Sequence, residues 1–131
     1  MGVTESSNDL VAAAEAEVVT LTIEQTVSAR DAGALLVDVR DVREIGRGGK
    51  IPGSYHAPRG MLEFWFDPAS PYHREALTAA EQIVLYCDLG WRSALAAKTL
   101  QDMGLTNVAH IGGGFTQWKA EGGPVEEPES R

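Results

Sequence analysis

Short apolar runs, each closed by a polar or glycine-containing break, alternate along this chain with stretches of helical periodicity. Residues 18–21 (Val18-Val19-Thr20-Leu21) predict a first strand. Thr22 with Gln25 three positions later forms a capping-box pattern, which opens a helix toward Ala32 that Gly33 ends. Residues 34–39 are nearly continuously apolar, as expected of a strand covered on both faces in a parallel sheet. The Gly- and Pro-rich stretch 46–58 predicts mostly loop, with room for a short strand over 55–57. Residues 61–66 are aromatic and fit either a helical turn or a cover over a pocket, before Pro68 and Pro71 break regularity. A central strand follows at Ile83-Val84-Leu85-Tyr86, then a loop over 88–92. The next helix, 93–103, carries Ala94, Ala97, Leu100 and Met103 on one face and stops at Gly104. Val108-Ala109-His110-Ile111 predicts the last strand, Gly112-Gly113-Gly114 a turn, and 115–120 a short helix. Strands alternating with helices at this length predict an α/β domain with a mostly parallel sheet.

With 131 residues the chain suits a single domain. Three segments are expected: a flexible leader over 1–17 with a turn or two of helix at most, the folded domain over 18–125, and a disordered acidic tail over 126–131. A net charge of −8 argues against nucleic acid as the partner, because polyanion binding needs a basic face. No apolar run approaches the length of a membrane span, and the first residues lack the basic start and apolar core of a signal peptide. A cytoplasmic location without membrane contact is therefore expected.

Cys87 is the only cysteine, which leaves no internal disulfide, CxxC pair or cysteine-rich metal site. It stands where the central strand meets the loop Asp88-Leu89-Gly90-Trp91-Arg92 and the following helix. At such a turn, loop amides and the positive end of a helix converge on the sulfur and favour the thiolate. Arg92 adds a cation, although a surface ion pair is its bland alternative. A buried structural thiol is the bland reading of Cys87, and Gly90 followed closely by Arg92 weighs against it. Asp38 and Arg40 alternate on one strand, so they face opposite sides unless the strand has ended between them. Glu44 is a further partner candidate. His56, His73 and His110 have no metal-ligand spacing and none is near Cys87 in sequence, which disfavours a Cys–His hydrolase. Trp65 and Trp118 read as core or cover, whereas Trp91 is placed to shape a pocket mouth.

Taken in order, Leu36-Val37-Asp38-Val39-Arg40, Gly49-Lys50-Ile51-Pro52-Gly53-Ser54, Tyr86-Cys87-Asp88-Leu89-Gly90-Trp91-Arg92-Ser93, Gly112-Gly113, Trp118 and Gly123-Pro124-Val125 resemble the successive signatures of single-domain rhodaneses. The resemblance spans residues 18–125 and implies a three-layer domain with helices on both faces of the sheet. It further implies a sulfurtransferase in which Cys87 takes sulfur from thiosulfate or a persulfide donor and passes it to cyanide or a thiol acceptor, small or protein-borne. In that scheme Asp38 and Arg40 support the site, Arg92 shapes the loop, and neither metal nor organic cofactor is required. Four residues separate Cys87 from Arg92, as in sulfurtransferases, whereas the related phosphatases have one more.

Two positions depart from the family pattern. Lys50 replaces the usual histidine, and Asp88 puts a carboxylate directly after the nucleophile, where it opposes ionisation of the thiol and repels thiosulfate. Weak thiosulfate activity is expected. A different class of function, a persulfide carrier or sensor fed by a partner protein, remains the alternative, with 61–66 as either its docking surface or a plain hydrophobic lid.

Overall fold

A computed structural model describes residues 2–128 of the chain. Five strands, β1 (Val19–Leu21), β2 (Leu35–Asp38), β3 (Tyr55–His56), β4 (Ile83–Tyr86) and β5 (Val108–Ile111), form one sheet in the order β1-β5-β4-β2-β3. Every pairing between them is parallel. The apolar runs form strands here because both faces of the inner strands are covered, so alternation with polar residues is not required. Ile83, Val84, Leu85 and Tyr86 are all buried.

Side-chain alternation divides the core in two. Val37, Ile83, Leu85 and Cys87 pack on one face with α4 (Leu62–Phe66), α5 (Glu75–Thr78) and α6 (Trp91–Asp102), through Leu62, Phe66, Leu77, Ala96, Ala97 and Leu100. Leu36, Val84, Tyr86 and Ile111 pack on the other with α2 (Ile23–Asp31) and α7 (Gly114–Ala120), through Ile23, Phe115 and Trp118. The parallel α/β sheet is the one the chain's pattern predicts, and its three layers are those the family resemblance implies. Alanines on α6 let that helix lie close on the sheet. Met103 caps α6 and is exposed rather than part of its buried face.

Several local expectations are corrected. Residues read as a flexible leader form a nine-residue helix, α1 (Ser7–Glu15), started by a reciprocal capping box between Ser6 and Asp9 and packed on α6 with Ala14 buried. A helix, α3 (Val42–Gly48), takes in residues 46–48, expected as loop, and begins before them. Its two glycines disfavour a helix, but Asp41 and Glu44 make a capping box that holds its first turn. Trp91 and Arg92 belong to the first turn of α6 rather than to the loop, because Gly90, at φ +99°, already caps the helix. Glu126, expected in the disordered tail, pairs through its backbone with Lys50. Residues 129–131 of that tail lie outside the described residues. Among those residues no helix is long and apolar enough to cross a membrane.

Candidate active site

Parallel strands deliver their carboxyl ends to one edge of the sheet, and register decides which residues meet there. Asp38 is opposite Tyr86, so the end of β2 and the residue after β4 arrive together. Strand β2 ends at Asp38, which frees Arg40 to turn back. Arg40 donates to both Asp38 carboxylate oxygens, with Nη2 2.8 Å from Oδ2, and also to the Gly49 carbonyl at 2.8 Å. Its guanidinium carbon is 4.4 Å from the centre of the Phe115 ring. Burial opposes the charge on Arg40, yet the hydrogen bonds and charge of Asp38 outweigh it and raise its pKa. With the strand ended between them, Asp38 and Arg40 bind each other and tie the end of β2 to α7 and to the 49–54 loop. Tyr86 strengthens that tie: its hydroxyl accepts from Ile51 N–H at 3.2 Å and shares a 2.9 Å hydrogen bond with Ser54.

Cys87 follows β4 directly and is 1% exposed. Its Sγ accepts from the Gly90 N–H at 3.1 Å and the Ser93 N–H at 3.4 Å, two amides at the start of the 12-residue helix α6. The Ser93 hydroxyl is 3.5 Å from the same sulfur. Donors at a helix N-terminus interact favourably with negative charge, and here two of them point at the sulfur. The loop is held from behind by α7, whose Phe115 N–H donates to the Cys87 carbonyl at 2.8 Å and whose Thr116 N–H donates to the Asp88 carbonyl at 3.0 Å. Gly114 permits that approach: a Cβ there would be 2.6 Å from both carbonyl oxygens, at a φ of +60°.

Arg92 turns away from the sulfur and forms a two-pronged pair with Glu44 of α3, both N···O distances being 2.8 Å. Glu44 is the partner foreseen as a candidate, and it joins α3 to α6. Asp88 accepts a hydrogen bond from the Thr116 hydroxyl at 2.9 Å and lines a cleft with Glu44, Arg47 and Lys119. Leu89 and Trp91 are exposed beside the loop, Trp91 by 60%. In the 61–66 segment, Leu62 and Phe66 enter the core and Phe64 faces outward, so the lid and the exposed patch are two faces of one helix.

Two further residues at the site have no local signal in the sequence. Ser93 Oγ is 2.9 Å from His110 Nδ1, and His110 Nε2 is 3.0 Å from Thr20 Oγ1. His110 stands inside the otherwise apolar strand Val108–Ile111, and nothing adjacent to it in sequence places it at the site. Among the described residues no group of three or more His, Cys, Asp or Glu is arranged to hold a metal.

The ionisable groups give acid destabilisation in two steps. Burial lowers the His110 pKa to about 4, and the Arg92 hydrogen bonds hold Glu44 down to about 2. Between pH 6.5 and 4 the unfolded chain protonates His110 while the folded one does not, so stability falls with pH by about 3 kcal/mol for a shift of this size. The Glu44 contribution is present above the ordinary carboxylate range and is lost as pH falls toward 2. Denaturant midpoints measured at pH 7, 5.5 and 4 should decline progressively. A flat profile across that range would contradict the buried, neutral imidazole.

Comparison with known proteins agrees with this geometry. A rhodanese-like domain family model matches residues 22–121. A sulfurtransferase of Allochromatium vinosum is 30% identical over 95 residues, covering 72% of this chain and 80% of its own. The mouse thiosulfate sulfurtransferase/rhodanese-like domain-containing protein 3 is 30% identical over 89 residues, which cover 64% of this chain but only 57% of that longer protein. A solved structure from Rhodopseudomonas palustris, of unknown function and called a possible tyrosine phosphatase, shares 47% identity at a TM-score of 0.91, covering 96% of this chain and 98% of its own. With the family's model spanning strands β2 to β5, the cysteine loop and the helix after it, this chain belongs to the rhodanese-like domain family.

Proposed function

We propose that the protein is a sulfurtransferase that works by double displacement through a persulfide on Cys87. The observation that carries this reading is the convergence of the Gly90 and Ser93 amides on Cys87 Sγ at the start of α6. The thiolate attacks the outer sulfur of thiosulfate or of an organic persulfide. A new S–S bond forms, the donor's S–S bond breaks, and sulfite or a thiolate leaves with the electron pair. An acceptor thiolate or cyanide then attacks the terminal sulfur and returns Cys87 as thiolate. Amide donors already aimed at the sulfur stabilise its charge without reorganising.

The phosphatase description of the Rhodopseudomonas palustris protein does not extend comfortably to this site. Both terminal nitrogens of Arg92 are engaged by Glu44, and a loop with four residues between Cys87 and Arg92 offers a tight cradle. A sulfur carrier fed by a partner protein is the second reading, favoured by the exposed Leu89 and Trp91 beside the nucleophile.

Intact mass after incubation with thiosulfate or glutathione persulfide tests the proposal. Gain of one sulfur that cyanide removes as thiocyanate over many cycles supports the enzyme; gain without turnover, or no gain from either small donor, contradicts it and shifts the reading to a carrier fed by a partner protein or a non-catalytic role. Asp88 also makes a prediction. A carboxylate beside the incoming dianion opposes it by about 2 kcal/mol at contact distance in water, about 1 kcal/mol per unit of donor charge, so Asp88→Ala should raise kcat/KM for thiosulfate about thirtyfold. An unchanged rate would remove the repulsion argument.

A further inference from the structure

Behind Cys87 lies a row of hydrogen-bonding groups that the double displacement does not use. Cys87 Sγ, Ser93 Oγ, His110 Nδ1, His110 Nε2 and Thr20 Oγ1 follow one another at 3.5, 2.9 and 3.0 Å, the imidazole bridging the last two contacts. Cys87, Ser93 and His110 are buried, while Thr20 on the edge strand β1 is exposed. The row thus runs from a buried thiol, along the α6-covered face of the sheet, to an exposed hydroxyl on its β1 edge.

We propose that His110 is a positioning residue whose tautomer, relayed through Ser93, follows the protonation and sulfur-loading state of Cys87. The row can be fully satisfied in two opposite polarities. With a thiol, the S–H donates to Ser93 Oγ, the Ser93 hydroxyl donates to His110 Nδ1, and Nε2–H donates to Thr20. With a thiolate or a persulfide there is no S–H to donate. The Thr20 hydroxyl then donates to Nε2, Nδ1–H donates to Ser93, and the Ser93 hydroxyl donates to Sγ. Passing between the two breaks the S–H bond and shifts one proton along each link, and a proton leaves from Thr20 to water. Ser93, His110 and Thr20 keep their proton counts, no electrons are transferred, and no buried group is left without a partner in either state.

The imidazole can serve in this way because it remains neutral. Burial lowers its pKa to about 4, and no carboxylate is hydrogen-bonded to either nitrogen to hold it as a cation. The groups facing it from β1 and α6 are the Thr20 and Ser93 hydroxyls. Around Cys87 the charged groups are Arg92 on α6, Asp88 in the loop, and Glu44 of α3 through its pair with Arg92. All three are unchanged in the experiment below.

The test is ring-nitrogen NMR of the 15N-histidine protein between pH 6 and 10, with thiolate followed by its ultraviolet absorbance. The His110 signals should pass from the Nε2–H to the Nδ1–H pattern with the same midpoint as thiolate formation, far above any pH at which this ring ionises. Cys87→Ser and Ser93→Ala should each hold one pattern across the range. A wild-type tautomer that does not change with pH, or a change that persists in Ser93→Ala, would overturn the relay. The sulfur-loading arm rests on the proposed sulfurtransferase: the loaded protein at pH 7 should show the Nδ1–H pattern. The pH arm needs no sulfur donor, so its failure and the failure of that function are read separately.

Discussion

The Cys87→Ser protein is expected to gain no sulfur from thiosulfate or an organic persulfide and to release no thiocyanate. Serine keeps the shape of the site, because its oxygen can accept the same Gly90 and Ser93 amide hydrogen bonds that reach the sulfur. It does not keep the chemistry. A hydroxyl ionises far above neutral pH and its oxygen cannot form the S–S bond of a persulfide, and the chain has no second cysteine to replace it. Loss of a covalent nucleophile should lower transfer by at least about three orders of magnitude. Stability should change little, which a denaturant curve on the same sample would establish. Persistent, cyanide-labile sulfur on the serine variant would place the nucleophile elsewhere and end the proposal.

Asp38→Ala should produce the largest loss of stability of any single change near the site. Asp38 and Arg40 have side chains only 1% and 3% exposed, and Arg40 donates to both oxygens of its partner. Alanine would leave a guanidinium buried beside Phe115 and Tyr86 with the Gly49 carbonyl and no hydrogen-bonded counter-charge. Stranding one member of a buried pair costs about 3–5 kcal/mol, a large share of the stability of a domain this size. The backbone N–H of Arg40 would also lose the Asp38 oxygen that it now reaches at 3.0 Å. Urea unfolding of the variant against the native chain measures this directly; a difference below about 1 kcal/mol would mean that water or a neighbouring group compensates. Because the pair ties β2 to the 49–54 loop and α7, the loop around Cys87 should loosen before the sheet does.

The inner strands β2, β4 and β5 could be read along the chain because each is a short run that must be largely apolar on both sides, a demand that acts locally. Helix starts were equally legible where capping boxes mark them, as at Thr22 and Gln25. The same signal was present at Ser6 with Asp9 and at Asp41 with Glu44, but the surrounding polar and glycine-rich composition obscured α1 and α3. Cys87 was identifiable from its place between an apolar strand and a helix. Its partners were not. Arg92 and Glu44 are 48 residues apart, Ser93 and His110 17 apart, and Thr20 lies 90 residues before His110. Those meetings depend on the strand order β1-β5-β4-β2-β3 and on the register that sets Asp38 opposite Tyr86. Local propensity and hydrophobic pattern determine which segments become strands and where the nucleophile can stand. Which distant side chains surround it was decided only when crossover connections stacked parallel strands side by side, since that contact order is a property of the packed sheet and not of any window of sequence.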